Sequence, residues 1–196
     1  MALGAPLLAF AVGTRDRRAL LTFALLWYAV GHALCALAPN YALLTPVRAA
    51  CMLGAALFTP QAAATIGWLT PPERRGRAVT FIFLGWSMAS VIGMPIANFV
   101  GDAFGWRFAF GLVALMSLLG ATGVWATVPA GVKPAVAGIA VWKQVLAQPV
   151  LLAVVLVTAL SASGQFTLFS YMAPIFRNDL GASANAITAL FFWFGV

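Results

Sequence analysis

The sequence predicts an all-α fold, a polytopic transmembrane helical bundle, and three observations carry that prediction. Long apolar runs follow one another in series, nearly every charge falls between them, and the basic charges concentrate in alternate connections. Of the 196 residues, 63% are hydrophobic and only 8% charged, whereas an ordinary globular domain carries roughly 25% charged residues. A water-exposed surface cannot be built from that inventory. The runs on either side of the turn Pro71-Pro72-Glu73-Arg74-Arg75-Gly76-Arg77, residues 43–69 and 78–100, contain no acid, and Arg48 is their one charge. Each exceeds the roughly 20 apolar residues that a helix needs to cross a bilayer.

The elements follow in order. Residues 1–13 are apolar and end at the charged turn Thr14-Arg15-Asp16-Arg17-Arg18. Residues 19–37 span, and Ala38-Pro39-Asn40-Tyr41 makes a short uncharged turn. Residues 43–69 span, residues 71–77 form a loop, and residues 78–100 span again. A turn over 101–107 leads to a span over 108–128. Residues 129–148 form a longer mixed segment around Lys133 and Lys143. A span over 150–173 precedes a loop over 174–185, and residues 187–196 are apolar to the end. The terminal runs are too short to cross a bilayer. A signal peptide would place its positive charges before the apolar run, whereas Arg15, Arg17 and Arg18 follow it. The sequence is therefore expected to be a window on a longer protein, a short re-entrant N-terminus being the alternative.

Charge sets the orientation. The net charge is +7, which in a soluble chain would suggest nucleic acid or acidic partners. Its placement points elsewhere. With the Arg15–Arg18 turn in the cytoplasm, that side holds Arg15, Arg17, Arg18, Arg74, Arg75, Arg77, Lys133 and Lys143, and the other holds only Arg107 and Arg177. Lys and Arg favour cytoplasmic loops, so this bias orients the bundle. Tyr41, Trp68, Trp106, Trp125 and Trp142 lie near span ends, where amphipathic rings favour the interface. A nucleic-acid binder is excluded by span length. Cys35 and Cys51 lie in different spans and read as small buried thiols, a disulfide requiring a matching depth that sequence does not show. His32 is the sole histidine. With no metal-ligand spacing, no Walker loop and no nucleophile–base pair, neither an enzyme nor a cofactor or metal is expected.

Several motifs, taken in order, resemble the major facilitator superfamily, read from its second helix to the start of its eighth. Arg17-Arg18-Ala19-Leu20-Leu21 resembles the end of the basic loop between the family's second and third helices. Arg48 to Gly54 keeps the Arg and the last Gly of the fourth-helix pattern R-x-x-Q-G-x-G. Pro71 to Ala78 is similar to the loop P-x-x-R-R-G-R-A before helix five, and Gly93-Met94-Pro95 to the antiporter signature within it. Gly105-Trp106-Arg107 and the stretch from Gly164-Gln165-Phe166 to Ala173-Pro174 look like the drug and arabinose-type efflux branch. There are departures. Gly13 stands at the family's loop Asp and Asp16 at its Gly; Cys51-Met52 replace Gln-Gly, and Met94 replaces the Gly before Pro95.

The resemblance implies a partial major facilitator fold: residues 1–128 as helices two to six of an N-terminal bundle, 129–148 as the cytoplasmic linker between halves, and 149–196 as the start of the C-terminal bundle. It implies a multi-pass protein of the bacterial inner membrane, monomeric, that expels a small molecule (drug, sugar or nucleoside-like) by proton-coupled alternating access. A truncated or structural membrane protein without transport activity is the alternative. Gating in the cytoplasmic loops would fall to Arg17, Arg18, Arg74, Arg75 and Arg77.

Candidate site residues come from polar groups inside spans. An Arg at the bilayer centre costs roughly 2.5–3.5 kcal/mol on insertion scales, less near the interface. Arg48 is either a cavity-facing cation for an anion or a carboxylate, or a side chain snorkelling to the headgroups. No acid lies within any predicted span, so a proton-carrying carboxylate would belong to a helix beyond this sequence. His32 shares a face with Tyr28, and Gln61 follows the kink-prone Pro60. In residues 150–173, Thr158, Ser161 and Gln165 occupy one face and Ser163, Thr167 and Ser170 another. Ser and Thr commonly bond the carbonyl four residues back, which leaves Arg48, Gln61, His32 and Gln165 as substrate or coupling candidates. Gly85, Ala89, Gly93, Ala97 and Gly101 recur every four residues. They form a ridge that could admit a close helix crossing, as generic packing or as a hinge between two states. Pro95 lacks an N–H, so a bend is expected near Val91.

Overall fold

The computed structural model describes Val12 and residues 15–133 and 147–195, and among these every regular element is helical. Helix α1 is Arg17–Leu37 and α2 is Tyr41–Leu69. After a single 3-10 turn, Pro72–Arg74, come α3, Arg75–Met88, a π turn, Ala89–Gly93, and α4, Met94–Phe104. Helix α5 is Trp106–Thr127, α6 is Pro149–Asn178 and α7 is Ala184–Gly195. Five stretches are long and apolar enough to cross a membrane: α1, α2, the continuous Pro72–Phe104, α5 and α6. The structure therefore realises the partial all-α bundle that the sequence predicts.

Local chemistry sets the ends. Asp16 caps α1 by accepting from the Ala19 N–H at 3.1 Å, and Asn40 caps α2 by accepting from Leu43 at 2.9 Å. Such side-chain caps satisfy amide donors that have no partner within the helix. Pro39 disfavours helical backbone at the residue before it, and Ala38 is accordingly extended at φ −61°, ψ 126°. Pro149 opens α6, where a missing N–H costs nothing.

Three boundaries differ from expectation. The loop expected over 71–77 is helical from Pro72 onward, because Pro72 and Glu73 suit a first turn. The turn expected over 101–107 shrinks to Gly105, whose φ of 96° and ψ of 154° need a residue without a Cβ. The loop expected from Pro174 begins later, since α6 runs through Pro174 to Asn178 and Gly181 supplies the positive φ of the turn. A proline inside a membrane helix is tolerated when neighbours accommodate the freed backbone. The disturbance expected near Val91 falls within the π turn, where the Met94 N–H bonds the Ala89 carbonyl one residue further back than an α-helix allows. Of the linker expected over 129–148, residues 134–146 lie outside the described residues, as do residues 1–11 of the first apolar run.

Helix α1 packs between α5 and α2; α4 packs on α5 and α7, α3 on α2, and α7 on the π turn and α6. The first contact is centred on Leu20, Ala24 and Leu57, and Val12 and Phe58 close around it. The second is centred on Met172, Ile187 and Phe191, joining α6 and α7 to Met94 of α4. Most other large apolar side chains point outward, as expected where lipid tails take the place of water.

Candidate functional site

Helices α1 and α2 approach each other closely at two glycines. A Cβ on Gly31 would stand 2.6 Å from the Cβ of Cys51, and one on Gly54 would stand 2.9 Å from the Ala24 carbonyl oxygen. Nothing larger than glycine fits at either point, so two small residues bring the helices together as membrane packing favours. Trp27 then reaches across to donate to the Ala50 carbonyl at 3.0 Å.

This crossing positions a polar cluster. His32, only 4% exposed, places Nδ1 3.0 Å from both the Tyr28 carbonyl and the Cys51 Sγ. Its ring lies 4.2 Å from that of Tyr28 and 5.8 Å from that of Phe110 on α5. Arg48 lies over the same Phe110 ring, its guanidinium carbon 5.2 Å from the centroid. Thus α1, α2 and α5 bring two of the four candidates, His32 and Arg48, against one aromatic ring. Cys35 and Cys51 are both buried free thiols.

The other two candidates lie elsewhere. Gln61, 6% exposed, accepts from the guanidinium of Arg17 and offers its own carbonyl to the Thr65 hydroxyl at 2.6 Å. Thirteen residues of helix separate it from Arg48, about 20 Å along the axis. Gln165 on α6 is exposed. Around it Thr158, Ser163, Thr167 and Ser170 each bond the carbonyl four residues back, at 2.7–2.8 Å, so their hydroxyls are spent on the backbone.

At the basic end of α1, Asp16 bonds both Ala19 and the Gly131 N–H, while the Arg17 N–H donates to the Val132 carbonyl at 3.0 Å. Arg18 stacks on Trp125 with its guanidinium carbon 4.1 Å from the ring centre. The start of α1 is thereby tied to the exit of α5. The Ala19 N–H above all, helped by those of Gly131 and Arg18 and by the Lys133 charge, holds the Asp16 carboxyl below its ordinary value. Arg74, Arg75 and Arg77 sit apart, at the α2–α3 turn, where Arg75 Nε donates to the Thr70 carbonyl at 3.2 Å.

Along the small-residue ridge, a Cβ added to Gly85 would meet no packed neighbour within 4 Å, one on Gly93 would meet the Ala89 Cβ at 3.8 Å, and one on Gly101 would meet the Ala109 Cβ of α5 at 3.9 Å. Ala97 is half-buried and Pro95 opens α4.

Residues 1–196 match the Major Facilitator Superfamily from end to end. The chain belongs to that family. It is 28% identical over 193 residues to the inner membrane transport protein YdhP of Escherichia coli K12, covering 98% of this chain and 50% of that protein. It is 32% identical over 199 residues to a chloramphenicol resistance protein of Streptomyces lividans, covering 100% of this chain and 51% of that one. A probable sugar efflux transporter of Mannheimia succiniciproducens is 32% identical over 182 residues, 92% of this chain and 46% of that protein. The chain thus spans about half the length of these relatives. As a major facilitator protein with five membrane-length helices among its described residues, it is a multi-pass protein of the inner membrane.

Two features of this major facilitator chain escape sequence reasoning. The Asn98 amide donates to the Thr188 hydroxyl at 2.6 Å across 90 residues, and Arg177 faces Asp102 at 3.9 Å. Asn98 and Asp102 form an i,i+4 polar pair that periodicity could have flagged; their partners on α6 and α7 come only from tertiary packing. The second is Asp16, which stands where the family has Gly and serves here as helix cap and tether to Gly131.

Proposed function

We propose that the chain is part of a secondary active transporter that expels a small molecule by alternating access, driven by a proton gradient. Residues 1–128 would belong to one half, 129–148 would be the cytoplasmic linker, and 149–196 would begin the other half. One relative is named for sugar efflux and another for chloramphenicol resistance, so sugars and chloramphenicol are the compounds those names give. Carried to this chain, they suggest a small, partly polar molecule.

The observation that carries the reading is Arg48 over Phe110, beside the His32–Tyr28–Cys51 cluster. A cation inside an apolar span is costly, and such residues usually mark a substrate or ion path. The ring face offsets part of that cost, about 0.5–1 kcal/mol where exposed and more when dry. The guanidinium retains its donors for a carboxylate or an anionic group of the cargo. Histidine is the residue type that ordinarily titrates nearest neutrality, which makes His32 a coupling candidate within these helices. Gln61 and Gln165 would contribute through the cargo path, and Arg17, Arg18, Arg74, Arg75 and Arg77 through movements of the cytoplasmic ends.

Substrate efflux from energised vesicles tests this, normalised to the amount of full-length protein in the membrane. Arg48→Lys keeps the charge and can still snorkel, so simple anchoring predicts unchanged efflux. A planar, bidentate role predicts that most activity is lost. Wild-type efflux that ignores a proton uncoupler would leave a facilitator in place of an antiporter.

A further inference from the structure

At the opposite end of α2 from Asn40, the C-terminal turn of α2 and the first turns of α3 border an open, shallow cleft of about 790 Å³. Arg74, Arg77, Thr70 and Thr80 line it together with the apolar Ile66 and Phe81. Three arginines of the turn, Arg74, Arg75 and Arg77, stand against one acid, Glu73. Arg75 is occupied in bracing the turn through the Thr70 carbonyl. Among the described residues the one ion pair is Arg177–Asp102, far from here in sequence, so Arg74 and Arg77 line the cleft without an ion-pair partner within 4 Å.

The two kinds of wall lie at different depths. The arginines sit at the turn itself, where two membrane spans end, and Phe81 follows one turn further into the second span. Phe81 is 75% exposed on this chain, and its place one turn inside the second span sets it at the depth of acyl chains. A soluble anion would use only the first wall. A phospholipid uses both: its phosphodiester takes the guanidinium donors, which match phosphate oxygens in pairs, and its chains lie along the Phe81 and Ile66 side. Basic pockets between helices at the membrane surface suit anionic headgroups for this reason.

We propose that this cleft binds one anionic phospholipid from the leaflet facing the Pro71–Arg77 turn, and that the lipid clamps the ends of α2 and α3 together. The inference is independent of transport and needs only a membrane-embedded chain.

Native mass spectrometry of the detergent-purified protein tests it, with dioleoylphosphatidylglycerol and dioleoylphosphatidylcholine titrated separately. The wild type should retain one phosphatidylglycerol in preference to phosphatidylcholine. Each arginine near a lipid surface contributes roughly fivefold in affinity, so Arg74→Gln with Arg77→Gln should weaken retention roughly 30-fold. Lys133→Gln, on another loop, should leave it unchanged. Phe81→Ala removes an outward-facing ring and leaves the core intact, so it tests the site even if the arginine variant misfolds; it should weaken phosphatidylglycerol severalfold. Equal retention of the two lipids by the wild type would overturn the proposal. So would unchanged retention in Phe81→Ala, or full displacement by millimolar inorganic phosphate, which would mark a free-anion site.

Discussion

Cys51 Sγ lies 3.0 Å from His32 Nδ1, at the crossing where Gly31 leaves no room for any side chain between α1 and α2. Packing and polarity therefore depend on the same few atoms. The glycine permits the approach, the approach brings the thiol to the imidazole, and the pair is sealed under Tyr28 and Phe110.

Gly31→Ala should destabilise the bundle by about 1–3 kcal/mol, the usual cost of overpacking, because the new methyl would meet the Cys51 Cβ. Cys51→Ala removes the equally close Sγ but keeps that carbon and so relieves the overlap only in part, whereas Cys51→Gly in the same chain should restore more of the loss. Gly123→Ala, where nothing lies within 4 Å, should be neutral or stabilising by up to about 1 kcal/mol. Thermal unfolding in detergent gives the comparison, and a Gly31→Ala melting point equal to wild type would sink the crossing argument.

Asp16→Ala should cost about 1 kcal/mol through the lost cap and also free the Gly131 tether. The effect depends on pH in one direction. Because the folded carboxyl is held below its ordinary value, its charge stabilises fully above the unfolded value and ceases to do so as pH falls through the folded one. The stability gap between wild type and Asp16→Asn should be steady near neutrality and shrink below about pH 4. A gap that widened on acidification would contradict the assignment.

Where α4 meets α6 and α7, the two polar links, Arg177–Asp102 to α6 and Asn98–Thr188 to α7, should differ in weight. The Arg177–Asp102 pair is 3.9 Å long with side chains 54% and 41% exposed, and exposed pairs contribute about 0–1 kcal/mol. Asp102→Asn should therefore change stability little and in a salt-dependent way. Asn98→Ala removes a shorter, half-buried hydrogen bond to Thr188, worth about 1 kcal/mol, and should loosen α7 measurably by hydrogen exchange. Equal protection of α7 in the two variants would show that the hydrogen bond carries no more than the ion pair.

Orientation is tested by single cysteines in a background lacking Cys35 and Cys51. Cysteines replacing Arg75 or Lys133 should react only with reagent on the cytoplasmic side, and those replacing Asn40 or Asn178 only from outside. Labelling of position 75 from outside would invert the topology and remove the charge-bias argument.

Apolar run length and the positions of charge and proline were enough, in sequence alone, for the number and order of the five membrane-length stretches among the described residues. These are local properties: a bilayer demands a minimum run, and Asp16, Asn40, Pro39 and Gly105 act on the backbone within a turn of themselves. The same reading placed the boundaries near Pro72, Phe104 and Pro174 several residues off. Whether a helix runs a further turn depends on what packs around it. Family motifs could likewise be recognised around Arg48 and Gly54, but not which helix face they share. The meeting of His32 and Arg48 on Phe110, the engagement of Gln61 by Arg17, and the Asn98–Thr188 link were decided only by tertiary structure. Each joins residues on different helices, and no periodicity within one helix specifies the rotation and depth at which a second helix meets it.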